Sequence, residues 1–142
     1  MGISLPALLE ALDSEQTITL ATCAGNRVTI RPMSQIRSGH DIYFQTSEGS
    51  LKIRQIAQNP SVAIHCATFE IEGEASARGR PLDLDNQWFA EAYRAKFPGH
   101  FARYSALPDE IVVKVSIHRV RQWQYIDGAP HLAETMLQGD QA

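Results

Sequence analysis

The sequence has little of what usually announces a function. Its two cysteines, Cys23 and Cys66, lie 43 positions apart with no C-x-x-C, so neither a redox dithiol nor a thiolate zinc site is indicated. Each sits in an apolar, strand-like run and reads as a buried thiol. None of the five histidines falls at H-x-x-x-H spacing with a carboxylate, which argues against a metal centre. G-x-S-x-G, the phosphate-loop lysine motif and G-x-G-x-x-G are all missing, which removes the commonest hydrolase and nucleotide-binding signatures. No apolar run reaches 18 residues, so no membrane span is expected. Met1-Gly2-Ile3-Ser4-Leu5 lacks the basic region of a secretory leader, which makes the cytoplasm the expected location. Positive charge is not in excess either. Thirteen Lys+Arg against 16 Asp+Glu give a net charge of -3, unlike the basic surface of a nucleic-acid binder.

What is present suffices for a core. With 142 residues, 44% hydrophobic and 20% charged, the chain is expected to form one globular domain over 1–142. It is too short for a two-half dinucleotide fold with a substrate domain, so a large cofactor would need a second subunit to enclose it. Leu5, Leu8, Leu9 and Leu12 repeat at helical spacing behind Ser4 and Pro6, which predicts a helix within 1–13. Ile18, Leu20 and Thr22 alternate with Thr17, Thr19, Ala21 and Cys23, and Ala24-Gly25-Asn26 turns the chain into a return strand from Val28. Pro32 cannot donate to a ladder, so an edge or a bulge is expected there. Ser38-Gly39-His40-Asp41 reads as a turn before the strand Ile42–Thr46. A helix at 50–58 should turn Ile53, Ile56 and Ala57 inward and stop at Asn59-Pro60. Further strands are expected at 62–67, 71–77, 111–118 and 120–126, and a helix from Leu82 to Phe97, with 127–142 a polar, loose tail. About seven strands joined by tight turns imply a mainly β, antiparallel α+β fold closed as a small barrel with peripheral helices.

One stretch carries candidate chemistry. The strand Ile42–Thr46 runs through Ser47-Glu48-Gly49-Ser50-Leu51-Lys52 into a helix, placing hydroxyls, a glycine and a lysine beside free backbone N–H groups. That set suits a phosphate, with Arg31 on a neighbouring strand as a bidentate partner. The plain alternative is helix capping by Ser47 or Ser50, with Lys52 solvated.

From Thr17 to Gly73 the chain resembles the FMN-binding split-barrel family whose type member is pyridoxamine 5'-phosphate oxidase. The likeness rests on Thr19-Leu20-Ala21-Thr22, Arg31-Pro32-Met33-Ser34, Ile42–Ser47, Ser50-Leu51-Lys52, Gln55-Ile56, Asn59-Pro60 and Ile71-Glu72-Gly73, in that order. It implies a split β-barrel of six to seven strands with Greek-key connections, FMN as cofactor, and a homodimer with the flavin at its interface. On this likeness Arg31 and Lys52 hold the FMN phosphate with help from Ser50. Pro32, Met33 and Ser34 run beside the ring through their backbone, and Gln45, Thr46 and neighbouring Ser47 touch the ribityl chain and ring edge. Thr68 and Trp123 correspond to contributions from the second subunit.

The departures bear on the substrate. The family oxidase has a basic residue where Leu51 stands, a substrate lysine where Ile36 stands, and an Arg-x-His segment where Ala129-Pro130-His131 stands, which keeps the histidine but not the arginine. Those losses argue against a pyridoxamine phosphate substrate and leave a small electron acceptor, such as a quinone or nitro compound. A deazaflavin-dependent reductase and a non-catalytic flavin- or haem-binding protein are the other readings. No residue is assigned a catalytic proton transfer. His100, on a loop, is a candidate for the mouth of the site. Trp88, Phe89, Tyr93 and Phe97 read as core packing or as a lid. Arg78 and Arg80 around Gly79 read as a solvated loop.

Overall fold

The computed structural model describes residues 2–137. Helix α1 (Leu5–Ser14) is capped by Ser4, whose Oγ accepts from the Ala7 N–H at 3.2 Å. Strands β1 (Thr17–Ala24) and β2 (Arg27–Ser34) follow as a hairpin. Its turn residues Gly25 and Asn26 both have positive φ, at 55° and 65°, the conformation that a two-residue hairpin turn demands. Next come β3 (Ile36–Ser38), β4 (Asp41–Ser47), α2 (Leu51–Gln58), β5 (Ser61–Cys66) and β6 (Phe69–Ala77). A 3-10 turn at Leu84–Asn86 leads into α3 (Gln87–Lys96) and α4 (Pro98–Tyr104), and the described chain ends with β7 (Glu110–Ile126) and β8 (Ala129–Met136). No described helix is long and apolar enough to cross a membrane.

All eight strands join one antiparallel sheet, in the order β2-β1-β5-β6-β7-β4-β3 with β8 added on β7. The meander β5-β6-β7 is thus inserted between two hairpins that are consecutive in sequence, a Greek-key crossover. β2 lies at the end of the order, so Pro32 sits on an edge strand, where its missing N–H costs no ladder bond. β2 and β4 approach each other without forming a ladder, which leaves the barrel split along that seam. Inside the barrel, Ile18, Leu20, Ile42, Phe44, Ile71, Val115 and Ile117 pack with Leu8 and Leu12 of α1. A second cluster of Ile36, Phe89, Tyr93, Phe97 and Val112 seats α3 against the sheet.

Several sequence expectations need correction. The 127–142 segment is not a loose tail as far as it is described. Asp127 and Gly128, both at positive φ, turn the chain into β8, which pairs with β7 from Ile126↔Ala129 to Arg119↔Met136. Residues 138–142 lie outside the described residues. The two strands expected at 111–118 and 120–126 are one 17-residue strand, and β3 was not foreseen, so the sheet has eight strands rather than six to seven. The Leu82–Phe97 helix begins only at Gln87, and Pro98 opens a separate helix. On α2, Ala57 is exposed and the polar Gln55 is buried in its place, beside partly buried Ile53 and Ile56. Cys66 is buried, as expected, while Cys23 is only partly so.

Candidate functional site

The site begins with a polar interior that the barrel interior would otherwise not tolerate. Thr22 on β1 and Thr29 on β2 face each other in register, and both hydroxyls donate to Gln55 Oε1 of α2, at 2.5 and 2.7 Å. The same hydroxyls accept from Arg31: Nη1 donates to Thr22 Oγ1 at 2.9 Å and to the Leu20 carbonyl at 3.2 Å, and Nη2 donates to Thr29 Oγ1. Gln55 completes the lattice by donating to the Arg27 carbonyl at 3.0 Å. Burying Gln55 is therefore paid for by hydrogen bonds on both ends of its amide. The guanidinium is fixed through three of its five N–H donors, and two have no partner among the described residues.

Lys52 enters from α2. Its Nζ donates to Thr46 Oγ1 at 3.0 Å. Burial pushes the lysine below its usual range, and the Arg31 charge pushes it further, with Glu110 opposing. Burial also lowers Arg31. Two cations are thus held near each other with their water partly stripped, an arrangement that an anion would relieve. Ser50, at the N-cap of α2, has a buried Oγ with no hydrogen-bond partner and makes no side-chain capping bond. Capping does not account for Ser50, and the Ser47 hydroxyl accepts from the Gly49 N–H at 3.3 Å in the turn before α2 while donating to Asp109 Oδ2 at 2.8 Å. An unsatisfied buried hydroxyl costs about 1–3 kcal/mol, so an acceptor or donor from a ligand fits this point. Guanidinium, ammonium, hydroxyl and helix start form a donor set suited to a phosphate.

A cleft of about 410 Å³ lies alongside. Six sequence-predicted residues line it: Pro32, Met33 and Ser34 from the β2 edge, and Gln45, Thr46 and Ser47 from β4. It opens at the seam where β2 and β4 approach without pairing. The other wall holds Tyr93 from α3, His100 and Tyr104 from α4, and Asp109 and Glu110. His100 thus does reach this cleft, where its Nδ1 lies 3.3 Å from Ser34 Oγ and its ring stacks on Phe97. The aromatic stripe is mainly core packing, with one residue also at the cleft. Phe89 and Phe97 are core, while Tyr93 is core on one side and cleft wall on the other, and burial pushes its phenol up to about 12. Trp88 is partly exposed, edge-on to Tyr43.

Sequence reading overlooked Glu110 and Ser105. Gln45 Nε2 donates to Glu110 Oε2 at 3.0 Å, and Ser105 Oγ donates to Gln45 Oε1 at 2.9 Å. The partners are 65 and 60 residues apart in sequence, so no local motif could have joined them. Burial raises the Glu110 carboxyl, while the Gln45 N–H bond opposes that rise.

Thr68 and Trp123 are not brought to this cleft. Thr68 lies in the β5–β6 turn, its hydroxyl accepting from Gln122 Nε2 at 2.8 Å, and Trp123 stands half-exposed on the far part of β7. Along β7 the contour from Glu110 to Trp123 is roughly 40 Å at about 3.3 Å per residue. Two positions at which the chain departs from the oxidase pattern lie away from the cleft. Ile36 is buried in the cluster under α3 and does not line the cleft, and His131 is an exposed β8 residue paired with Gln124.

A family model described as pyridoxamine 5'-phosphate oxidase matches residues 4–124. Among solved structures, General Stress Protein 26 of Bacillus anthracis is 19% identical, with 95% of this chain and 100% of that chain covered, at a TM-score of 0.67. HutZ, the haem storage protein of Vibrio cholerae, is 15% identical over 96% of this chain and 95% of its own, at 0.69. A FAD-binding protein of Mesorhizobium loti is 13% identical over 83% of this chain and 92% of its own, at 0.67. At these identities the likeness is one of fold. No curated protein matches the chain.

Proposed function

The chain belongs to the pyridoxamine 5'-phosphate oxidase family, and from that premise we propose that it binds FMN and works as a flavin-dependent oxidoreductase on a small electron acceptor. The observation that carries the reading is the buried, unpartnered Ser50 Oγ at the start of α2, beside the partly desolvated Arg31 and Lys52. Arg31, Ser50 and Lys52 hold the phosphate. The β2 edge at Pro32, Met33 and Ser34 lies along the ring, and Gln45, Thr46 and Ser47 contact the ribityl chain and ring edge. Bound flavin supplies hydride or electron transfer, and the protein supplies binding, orientation and exclusion of water. Thr68 and Trp123 act across a homodimer interface, each on the cleft of the partner subunit. The contour between the two ends of β7 supports this assignment, since one chain cannot fold that length back onto its own cleft while β6 and β8 pair with it.

Pyridoxamine phosphate is a poor candidate substrate. The cleft wall carries Asp109 and Glu110 and no lysine or arginine, and position 36 is apolar and packed in the core. A second phosphate would meet no lysine or arginine among the described residues of the cleft wall, losing charge-assisted bonds worth about 1.5–3 kcal/mol each.

The test is the visible spectrum of the purified or FMN-reconstituted protein, with mass identification of the released ligand. Flavin bands that bleach with reduced nicotinamide support an FMN oxidoreductase. Flavin bands that no reductant bleaches support a storage role, a Soret band means haem, and a released deazaflavin identifies that class of reductase. A colourless protein that cannot be reconstituted overturns the proposal.

A further inference from the structure

Gln45, on the cleft, has both ends of its amide engaged by buried partners. Ser105 Oγ donates to its Oε1 and its Nε2 donates to Glu110 Oε2. Gln45, Ser105 and Glu110 are themselves buried, so water does not compete for these bonds. An amide can be turned end for end within nearly the same volume, and only its partners decide which end faces which way. Here they decide it. An ionised carboxylate only accepts, so it requires the NH2 end of Gln45. The reversed amide would set an oxygen against an oxygen and leave two buried acceptors facing each other. One N–H goes to Glu110 and the carbonyl is taken by Ser105, which leaves a single N–H of Gln45 without a partner among the described residues.

We propose that Glu110, with Ser105, is a positioning residue for the candidate cofactor site: it locks the Gln45 amide so that Gln45 offers the cleft a hydrogen-bond donor, and so selects a ligand with an acceptor at that point. The proposal rests on the flavin reading for the identity of the ligand, and on the described hydrogen bonds alone for the lock. A flavin ring edge and ribityl chain are rich in acceptors, which makes the two readings compatible. The lock depends on the charge of Glu110. A protonated carboxyl can donate, and could then bond the Gln45 carbonyl in a reversed amide while Ser105 accepts from the NH2 end. The groups that face Glu110 pull both ways. Burial and neighbouring Asp109 favour its protonation, while Lys52 from α2 and the Gln45 N–H favour the carboxylate. Tyr93 from α3 lines the same wall, and Arg80 Nη1 donates to the Glu110 backbone carbonyl at 3.2 Å.

The test follows the Gln45 side-chain NH2 resonances in 15N-labelled protein, assigned by their loss in Gln45→Leu. In the wild type they move as Glu110 titrates from acid to neutral pH. In Glu110→Gln that movement is lost, and in Glu110→Asp, which keeps the charge, it returns. FMN affinity, measured separately by fluorescence quenching, falls about fivefold in Glu110→Gln, as for the loss of one modest hydrogen bond, and recovers in Glu110→Asp. Ser105→Ala removes the second partner but keeps the charge, so it retains the titration. That variant keeps the test alive if Glu110→Gln does not fold. Resonances indifferent to the Glu110 charge, or unchanged FMN affinity in Glu110→Gln, overturn the proposal. The two readings fail separately. A responsive amide in a protein that binds no FMN sinks the cofactor and leaves the lock, and a yellow protein with a silent amide does the reverse.

Discussion

The two ends of β7 are built on opposite principles. From Glu110 to Ser116 the strand pairs with β4 on one edge, and at its start the buried Glu110 is hydrogen-bonded in the Glu110–Gln45–Ser105 chain. From Arg119 to Ile126 the same edge pairs with β8, and there large apolar groups stand in the open. Trp123 is 52% exposed and Tyr125 75%, with Leu132 and Met136 across the hairpin also exposed. Buried polar atoms that are satisfied, next to one that is not, describe a site that takes a ligand. Exposed aromatic residues clustered on this hairpin are the kind of surface that the proposed homodimer would cover. One strand thus carries a wall of the chain's own cleft and, in the dimer proposed here, a cover for the partner's.

Between the two ends lies a bulge, where the register of β6 against β7 shifts between Glu72 and Gly73. Gly73 is the strongest point at which to break the comparison. A Cβ there would lie 2.4 Å from the Ser116 carbonyl oxygen and 2.9 Å from Val115 Cγ1, and the first of these is backbone that cannot swing aside. Gly73→Ala is expected to cost about 3 kcal/mol, read as a lowered urea midpoint with unchanged slope. A midpoint within error of the wild type would mean that the strands are not held this close. At the cleft end alone, Arg31→Ala and Lys52→Ala are each expected to weaken FMN binding about tenfold or more while leaving the hairpin's behaviour unaltered. Titration of the apoprotein with FMN measures this, and unchanged affinity in both removes the phosphate site.

Legibility from the sequence differed between the same two ends. The cleft end was readable where it is local. Arg31-Pro32-Met33-Ser34 and Gln45-Thr46-Ser47 lie on continuous stretches, and the structure sets the last three residues of the first and all of the second along one cleft. Pro32 marked the edge strand correctly. What stayed hidden was long-range. Glu110 and Ser105 meet Gln45 only because β7 pairs with β4 and α4 returns to the cleft. The burial of Gln55 contradicts its polarity and makes sense only with Thr22, Thr29 and Arg31 around it. The hairpin end was misread for another reason. Ala129–Met136 shows no clean apolar–polar alternation, because its large apolar residues Leu132 and Met136 are exposed and Ala133 alone is buried. The signal was nevertheless there, since Asp-Gly at 127–128 is a strong two-residue hairpin turn. β3, at three residues, is too short to show a period.

Trp123→Ala sharpens the comparison from the hairpin end. Its half-exposed indole contributes little to the fold of its own chain, so the unfolding midpoint should stay within about 0.5 kcal/mol. In the proposed dimer it should loosen self-association in equilibrium sedimentation and weaken FMN binding about threefold to tenfold, as an exposed aromatic that closes a partner's cleft would. Equal affinity and equal association in the variant would show that the two ends of β7 do not cooperate across subunits.

The smallest expected effect comes from the charge of Glu110 itself. Because burial raises this carboxyl above its ordinary value, the folded chain holds the proton more tightly than the unfolded chain, where a glutamate titrates near about 4.3. Stability from this group is therefore fully present below the unfolded value and is lost as pH rises through the higher folded value. Glu110→Gln removes the titration, so its stability relative to the wild type should improve as pH climbs through that window, even though the same substitution loosens Gln45. Glu110 sits at the cleft end of β7, bonded to the amide that faces the cleft, while the exposed hairpin end holds its glutamates and arginines in surface pairs such as Arg121–Glu72 at 2.7 Å. If the stability difference between Glu110→Gln and wild type stays flat with pH, Glu110 behaves like those surface charges and the contrast between the two ends loses its electrostatic part.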